Sequence, residues 1–260
     1  MPDTKPVDQQ ANQVKSRRGI YLLPNMITTA AMFSGFYAIV ASMDERFEAA
    51  AIAIFIAMVL DGLDGRIARL TNTQSEFGVQ YDSLSDMVCF GLAPALVVYE
   101  WSLKSMLSVG WAKLGWLAAF IYTASAALRL ARFNSQVATA EKSYFRGLPS
   151  PSAAGVLAGM VWAATDTGWQ GESLVYIAFL LTISMGLLMV SNIRYHSFKE
   201  INFKNRVPFV AILIVVMVYV FASIDPPKVL FSGFMIYAIF GIVYTLVGVR
   251  SRRMARKRDE

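Results

Sequence analysis

Along most of this chain apolar residues do not alternate with polar ones. They run on for about twenty residues at a time, the length at which an α-helix crosses a bilayer. Eight such runs are read, near 21–43, 47–69, 79–101, 112–133, 148–165, 173–194, 207–224 and 228–249. A polar stretch holding His196, Lys199, Glu200, Lys204 and Arg206 separates the sixth from the seventh, and Asp225-Pro226-Pro227 makes a tight turn before the eighth. The pattern predicts an all-α integral membrane protein, a polytopic bundle of about eight transmembrane helices. Residues 1–18 are read as a polar N-terminal segment, 19–249 as one transmembrane domain and 250–260 as a basic tail. No internal repeat or soluble domain is evident.

Composition agrees: 56% of residues are hydrophobic, 16% are charged and mean hydropathy is +0.47, against about 25% charged in ordinary soluble domains. The net charge of +6 does not imply nucleic acid, because the basic residues are spread over loops and ends. Lys15, Arg17 and Arg18 precede the first run, Arg66 and Arg69 end the second, and Arg129, Arg132, Lys142 and Arg146 lie between the fourth and fifth. Further clusters follow the sixth run and the eighth, while the opposite loops are poor in positive charge. The positive-inside rule then predicts that both termini are cytoplasmic; a bacterial inner membrane is the expected location. The first apolar run is too long for a signal-peptide core, so the first helix is expected to stay. The single Cys89 excludes an intrachain disulfide. Tyr21, Trp101 and Trp111, near helix ends, read as interfacial anchors.

The chemistry concentrates in residues 61–86, DGLDGRIARLTNTQSEFGVQYDSLSD. Asp61 and Asp64 are three apart, Asp82 and Asp86 four apart, and each spacing puts a pair on one helical face. Two antiparallel neighbours joined by a short connection bring the pairs together, beside a membrane where charge is costly and usually functional. Four converging carboxylates repel unless cations lie between them. A divalent metal site is the economical reading, and oxygen-only donors suit Mg²⁺ or Mn²⁺ better than zinc. Solvated helix caps and an acidic cation-transport site are the rival readings. Gly65 and Gly78, taken alone, would serve helix packing.

Asp61-x-x-Asp64-Gly65-x-x-Ala68-Arg69, eight residues, then Gly78-x-x-x-Asp82-x-x-x-Asp86 resembles the signature of the CDP-alcohol phosphotransferases at every fixed position. The resemblance implies a six-helix core with the last two helices appended, and transfer of a substituted phosphate from a CDP-linked lipid to an alcohol with release of CMP. It makes Asp61, Asp64 and Asp82 metal ligands. Asp86 becomes the general base for the acceptor hydroxyl, touching a second metal. Small residues at Gly65 and Ala68 leave room for a nucleotide on the second helix, and Arg69 can meet a phosphate with its guanidinium fork. Ser75 stands where a hydroxyl reaches the diphosphate, and Asn25, in Leu-Pro-Asn, resembles a family position that holds the CDP group. With Gly78 these form the expected CDP-diacylglycerol site.

The signature leaves the acceptor open among serine, glycerol 3-phosphate and others. Ala127–Asn134 (ALRLARFN) and Phe145–Ala154 (FRGLPSPSAA) look like the membrane-integral phosphatidylserine synthases of that family. The resemblance implies CDP-diacylglycerol and L-serine as substrates, with phosphatidylserine and CMP as products. Arg129, Arg132 or Arg146 would then hold the serine carboxylate; otherwise they only set topology. Glycerol 3-phosphate is the alternative acceptor, and a homodimer is the partner arrangement considered.

Overall fold

The computed structural model describes residues 7–71, 73–107, 110, 112–136, 144–196, 217, 220 and 223–256. In order these form α1 (Val7–Met43), α2 (Phe47–Leu70), α3 (Glu76–Asp86), a π-helical turn (Met87–Leu92), α4 (Ala93–Trp101) and a 3₁₀ turn (Leu103–Leu107). Then follow α5 (Ala112–Gln136), β1 (Tyr144–Arg146), α6 (Ser150–Asp166), a second 3₁₀ turn (Gly171–Leu174), α7 (Val175–Val190), β2 (Arg194–His196) and α8 (Pro226–Arg256).

The architecture is the expected α-helical, polytopic membrane one. Among the described residues, five helical stretches are long and apolar enough to cross a membrane: Leu23–Met43, Glu76–Trp101, Lys113–Ser135, Gly171–Val190 and Pro226–Thr245. α2 has the length but carries Glu48, Asp61, Asp64, Arg66 and Arg69. α6 is 17 residues long. Of the run expected over 207–224, only 217, 220, 223 and 224 are among the described residues.

Four details differ from the sequence reading. α1 starts at Val7 rather than 21, because the polar residues before the apolar run hold no proline and a single glycine, Gly19, and continue the helix. The single helix expected over 79–101 is α3, a π turn and α4, with Pro94 at the start of α4. α7 stops at Val190, where Ser191 turns extended. Residues 194–196, expected to be near a helix end, pair instead with 144–146 as an antiparallel ribbon, Phe145 opposite Tyr195. Trp101 is no interfacial anchor. It is 6% exposed, because the chain after it folds back and Gly171 lies against its carbonyl. The side chains of Tyr21 and Trp111 lie outside the described residues.

Small residues set the packing. α1 lies along α2 through Ala31, Ala38 and Ala41 on one side and Ala50, Ala53 and Ala57 on the other. The Ser34 hydroxyl donates across this seam to the Ala53 carbonyl at 2.7 Å. α6 is buried almost all round and touches α2, α4, α7 and α8, which makes it the centre of the bundle. Gly155 and Gly159 sit under Phe234 and Phe231 of α8, so close that a β-carbon would collide with either residue. Asp225 caps α8: its carboxylate accepts from the Lys228 amide at 3.2 Å, and Pro226 takes the first helical position. Gly147, with φ +83°, gives its amide to Ile193 O at 2.9 Å, and a β-carbon there would strike Met189 O. Only glycine joins the ribbon to α6 this way. Large apolar side chains such as Phe33, Val59, Phe120 and Leu180 point outward, as suits a lipid solvent.

Candidate active site

The chain reverses between α2 and α3 within five residues, 71–75. The Thr71 and Thr73 amides close the end of α2 on Ile67 O and Ala68 O, and the two threonine hydroxyls meet at 2.7 Å. Ser75 then caps α3, its hydroxyl oxygen accepting from the Gly78 amide at 3.0 Å. This tight return puts the last turns of α2 beside α3. One carboxylate oxygen each from Asp61, Asp64 and Asp82 lies within 4.8 Å of the others. Asp86, the last residue of α3, faces Asp61 and Asp82.

α1 supplies the back wall. Thr28, a residue the sequence reading missed, places its hydroxyl 2.6 Å from Asp64 Oδ2 and 3.1 Å from the Pro24 carbonyl. Its one proton favours the carboxylate, which is closer and charged. Thr29 donates to the Asn25 carbonyl at 2.7 Å and meets the Tyr81 hydroxyl at 2.8 Å, tying α1 to α3. On the same face, one turn on, α3 is seated by Ser85, which donates to Thr28 O at 3.3 Å, and the buried Cys89 thiol follows a turn later, against Ala31 O at 3.2 Å. Cys89 is thus a packing residue, accommodated by Gly35, where a β-carbon would lie 2.8 Å from the sulfur.

The expected CDP-binding residues fall around this cluster. A β-carbon on Gly78 would lie 3.2 Å from Ser75 Oγ and 3.5 Å from Asn25 Oδ1, so all three positions are neighbours. Gly65 is exposed and a β-carbon there would meet no atom within 4 Å. Among the described residues no helix packs on Gly65. Arg69 follows Gly65 by four residues on the same side of α2 and is also exposed. An open depression of about 860 Å³ lies over the start of α3, lined by Gln74, Ser75, Glu76, Phe77, Val79, Gln80 and Asn134. It shares Ser75 with the site but includes none of the four aspartates, and its flanking Phe77 is an outward-facing apolar residue.

Of the three arginines expected near an acceptor, the structure brings one to the aspartates. Arg129 of α5 is the positive charge facing Asp86; it donates to Ser150 Oγ at 3.0 Å, and its buried Nε has no hydrogen-bond partner among the described residues. Arg132 is turned to Asn192 Oδ1 at 2.9 Å. The Arg146 side chain lies outside the described residues.

The donor set fits a hard divalent cation. Its ligands would all be carboxylate oxygens, three of them already convergent, and Asp82 Oδ1 and Asp86 Oδ1 are buried without any hydrogen-bond partner among the described residues. Buried carboxylate oxygens with no donor are costly, and a cation satisfies them.

Comparison with known proteins points the same way. A family model described as CDP-alcohol phosphatidyltransferase matches residues 21–187. A Helicobacter pylori (strain J99) protein named CDP-diacylglycerol--serine O-phosphatidyltransferase is 31% identical over 234 residues, covering 88% of this chain and 94% of that one. A Mycobacterium tuberculosis (strain CDC 1551) protein of the same name is 37% identical over 189 residues, 69% of this chain and 63% of its own. The archaetidylserine synthase of Methanothermobacter thermautotrophicus is 34% identical over 175 residues, 66% of this chain and 69% of its own. The match covers more than half of the chain and contains all four aspartates, and the chain belongs to the CDP-alcohol phosphatidyltransferase family.

Proposed function

We propose that this protein transfers the phosphatidyl group of CDP-diacylglycerol to the hydroxyl of L-serine, forming phosphatidylserine and CMP. The observation that carries the reading is the convergence of Asp61, Asp64 and Asp82, with Asp86 alongside and Arg129 facing it. Serine as acceptor is supported by the names of the relatives.

Asp61, Asp64 and Asp82 would hold Mg²⁺ or Mn²⁺, with the orphan oxygen of Asp86 available to a second ion. When bound, the metal neutralises charge on the transferring phosphate and on the departing CMP. The open face of α2 at Gly65 and Ala68 receives the nucleotide, Arg69 meets a phosphate, and Asn25, Ser75 and Gly78 close the opposite side. Ser75 Oγ accepts from Gly78, which leaves its proton to donate to a diphosphate oxygen. Asp86 accepts the proton of the serine hydroxyl as general base. The serine oxygen then bonds to the phosphorus next to diacylglycerol, and the bond from that phosphorus to the CMP oxygen breaks, its electron pair leaving with CMP. Arg129 holds the serine carboxylate, since its guanidinium is drawn in beside Asp86 and keeps a free donor. The reading takes 19–249 as one catalytic membrane domain of the inner membrane, with its site and both termini cytoplasmic, as the distribution of Lys and Arg supports.

Purified enzyme given CDP-diacylglycerol and a panel of alcohols tests the proposal through release of CMP. Serine is expected to be the best acceptor, EDTA to abolish release, and restored Mg²⁺ or Mn²⁺ to recover it. Preference for glycerol 3-phosphate refutes the acceptor, full activity without metal refutes the site, and absence of CMP release with every alcohol favours the transport reading.

A further inference from the structure

Directly after Asp86 the helix widens. Met87–Leu92 is a π turn, closed by an amide-to-carbonyl bond from Ala93 back five residues to Val88. Its cause is legible in the residues that follow. Pro94 has no N–H, so in a regular α-helix the Phe90 carbonyl four residues earlier would lose its donor and clash with the ring. A π turn relieves the clash, and such turns recur at functional sites. It leaves carbonyls to be satisfied from outside the helix, inside a dry bundle where each unsatisfied group is expensive.

α5 supplies the missing donors. The Tyr122 hydroxyl, fully buried, donates to Phe90 O at 3.0 Å, and the neighbouring Thr123 hydroxyl to Gly91 O at 3.3 Å. The fit is close on every side. Gly91 admits α5, since a β-carbon there would lie 3.3 Å from Ala126 Cβ, and Gly186 of α7 fits against the Tyr122 backbone. The π turn begins one residue beyond Asp86, so its shape sets the angle between the half of the helix bearing Asp82 and Asp86 and the apolar half seated in the bundle.

We propose that Tyr122 and Thr123 are positioning residues for Asp86: the Tyr122 hydroxyl replaces the donor that Pro94 lacks, the Thr123 hydroxyl holds the next carbonyl, and together they fix the wide turn that aims Asp86 at the other carboxylates. Both hydroxyls are directed at carbonyls of the turn and not at the carboxylates. The inference rests on the catalytic role given to Asp86 above.

The test compares Tyr122→Phe, Thr123→Val, Thr123→Ser and Asp86→Asn in purified protein, with kcat, KM for CDP-diacylglycerol and thermal unfolding measured on each. Tyr122→Phe keeps the ring and removes only the donor. It is expected to lower kcat about tenfold, the lower end of what lost supporting hydrogen bonds cost a site, with KM for CDP-diacylglycerol unchanged. Thr123→Val should lose less and Thr123→Ser should behave as the parent. Pro94→Ala returns an amide donor to position 94, so in that background Tyr122→Phe should cost clearly less than it does alone. If Asp86→Asn is inactive while Tyr122→Phe turns over at the parent rate, the positioning role is wrong and the catalytic reading stands. If Tyr122→Phe and Pro94→Ala simply add, the donor-replacement argument is wrong. If Asp86→Asn itself turns over normally, the reading beneath both is refuted.

Discussion

Thr28→Val isolates one hydrogen bond in the proposed metal site. Valine keeps the shape of threonine and removes only the hydroxyl, which lies 2.6 Å from Asp64 Oδ2. Thr28 and Asp64 are each 4% exposed, so water cannot replace the lost donor. A hydrogen bond to a charged group contributes about 1.5–3 kcal/mol, and a buried acceptor left without a donor loses its desolvation cost in full. At about 1.4 kcal/mol per decade this is roughly ten- to hundredfold in affinity. The same range holds for residues that orient metal ligands from behind. The direction follows from charge. Without Thr28, repulsion from Asp61 and Asp82 turns the Asp64 carboxylate out of the convergent arrangement that a cation needs. Mn²⁺ binding to purified protein, read from the free-ion paramagnetic resonance signal, should weaken by about that factor in Thr28→Val. Thr28→Ser, which keeps the hydroxyl, should bind as the parent does. Parent-like Mn²⁺ affinity in Thr28→Val would show that Asp64 is oriented by something else or does not bind metal.

Gly65→Val should fold normally, because its side chain enters space with no protein atom within 4 Å of the β-carbon, yet raise KM for CDP-diacylglycerol at least tenfold; an unchanged KM with an unchanged melting temperature would place the nucleotide elsewhere. Arg129→Ala should raise KM for serine by roughly ten- to a hundredfold through loss of a charge-assisted bond. KM for CDP-diacylglycerol should hold, and serine methyl ester should discriminate little between parent and variant. An unchanged KM for serine would remove Arg129 from the acceptor site.

The acidic cluster was legible in the sequence because helical spacing alone assigns Asp61 and Asp64 to one face and Asp82 and Asp86 to another. The short connection between them left few ways to arrange the two helices. Thr28 was not legible: its partner is 36 positions away, and hydroxyls in apolar runs usually turn back to their own helix carbonyls. Pro24 four residues before it was the available hint. Pro94 likewise signalled an interruption inside an apolar run, yet hydropathy is blind to whether a proline ends a helix, kinks it or widens one turn. The ribbon of Tyr144–Arg146 with Arg194–His196 is too short to show an alternating period, and is held by long-range pairing alone. Trp101 was misread because an aromatic at a helix end resembles an anchor until the following turn is seen to cover it.

The glycine notch on α6 has a consequence for how the protein is made. Membrane helices enter the bilayer in order of synthesis, and α6 arrives well before α8. Until then the hollow at Gly155 and Gly159 has no phenylalanine to fill it, and lipid tails pack poorly against so narrow a groove. The central helix of the bundle is also a short one, with 17 residues and little surplus apolar length to hold it across the membrane. Its final seating therefore waits for α8. A chain halted before Phe231 carries α6 without the side chains that fill its notch, and the bundle closes only when α8 is delivered.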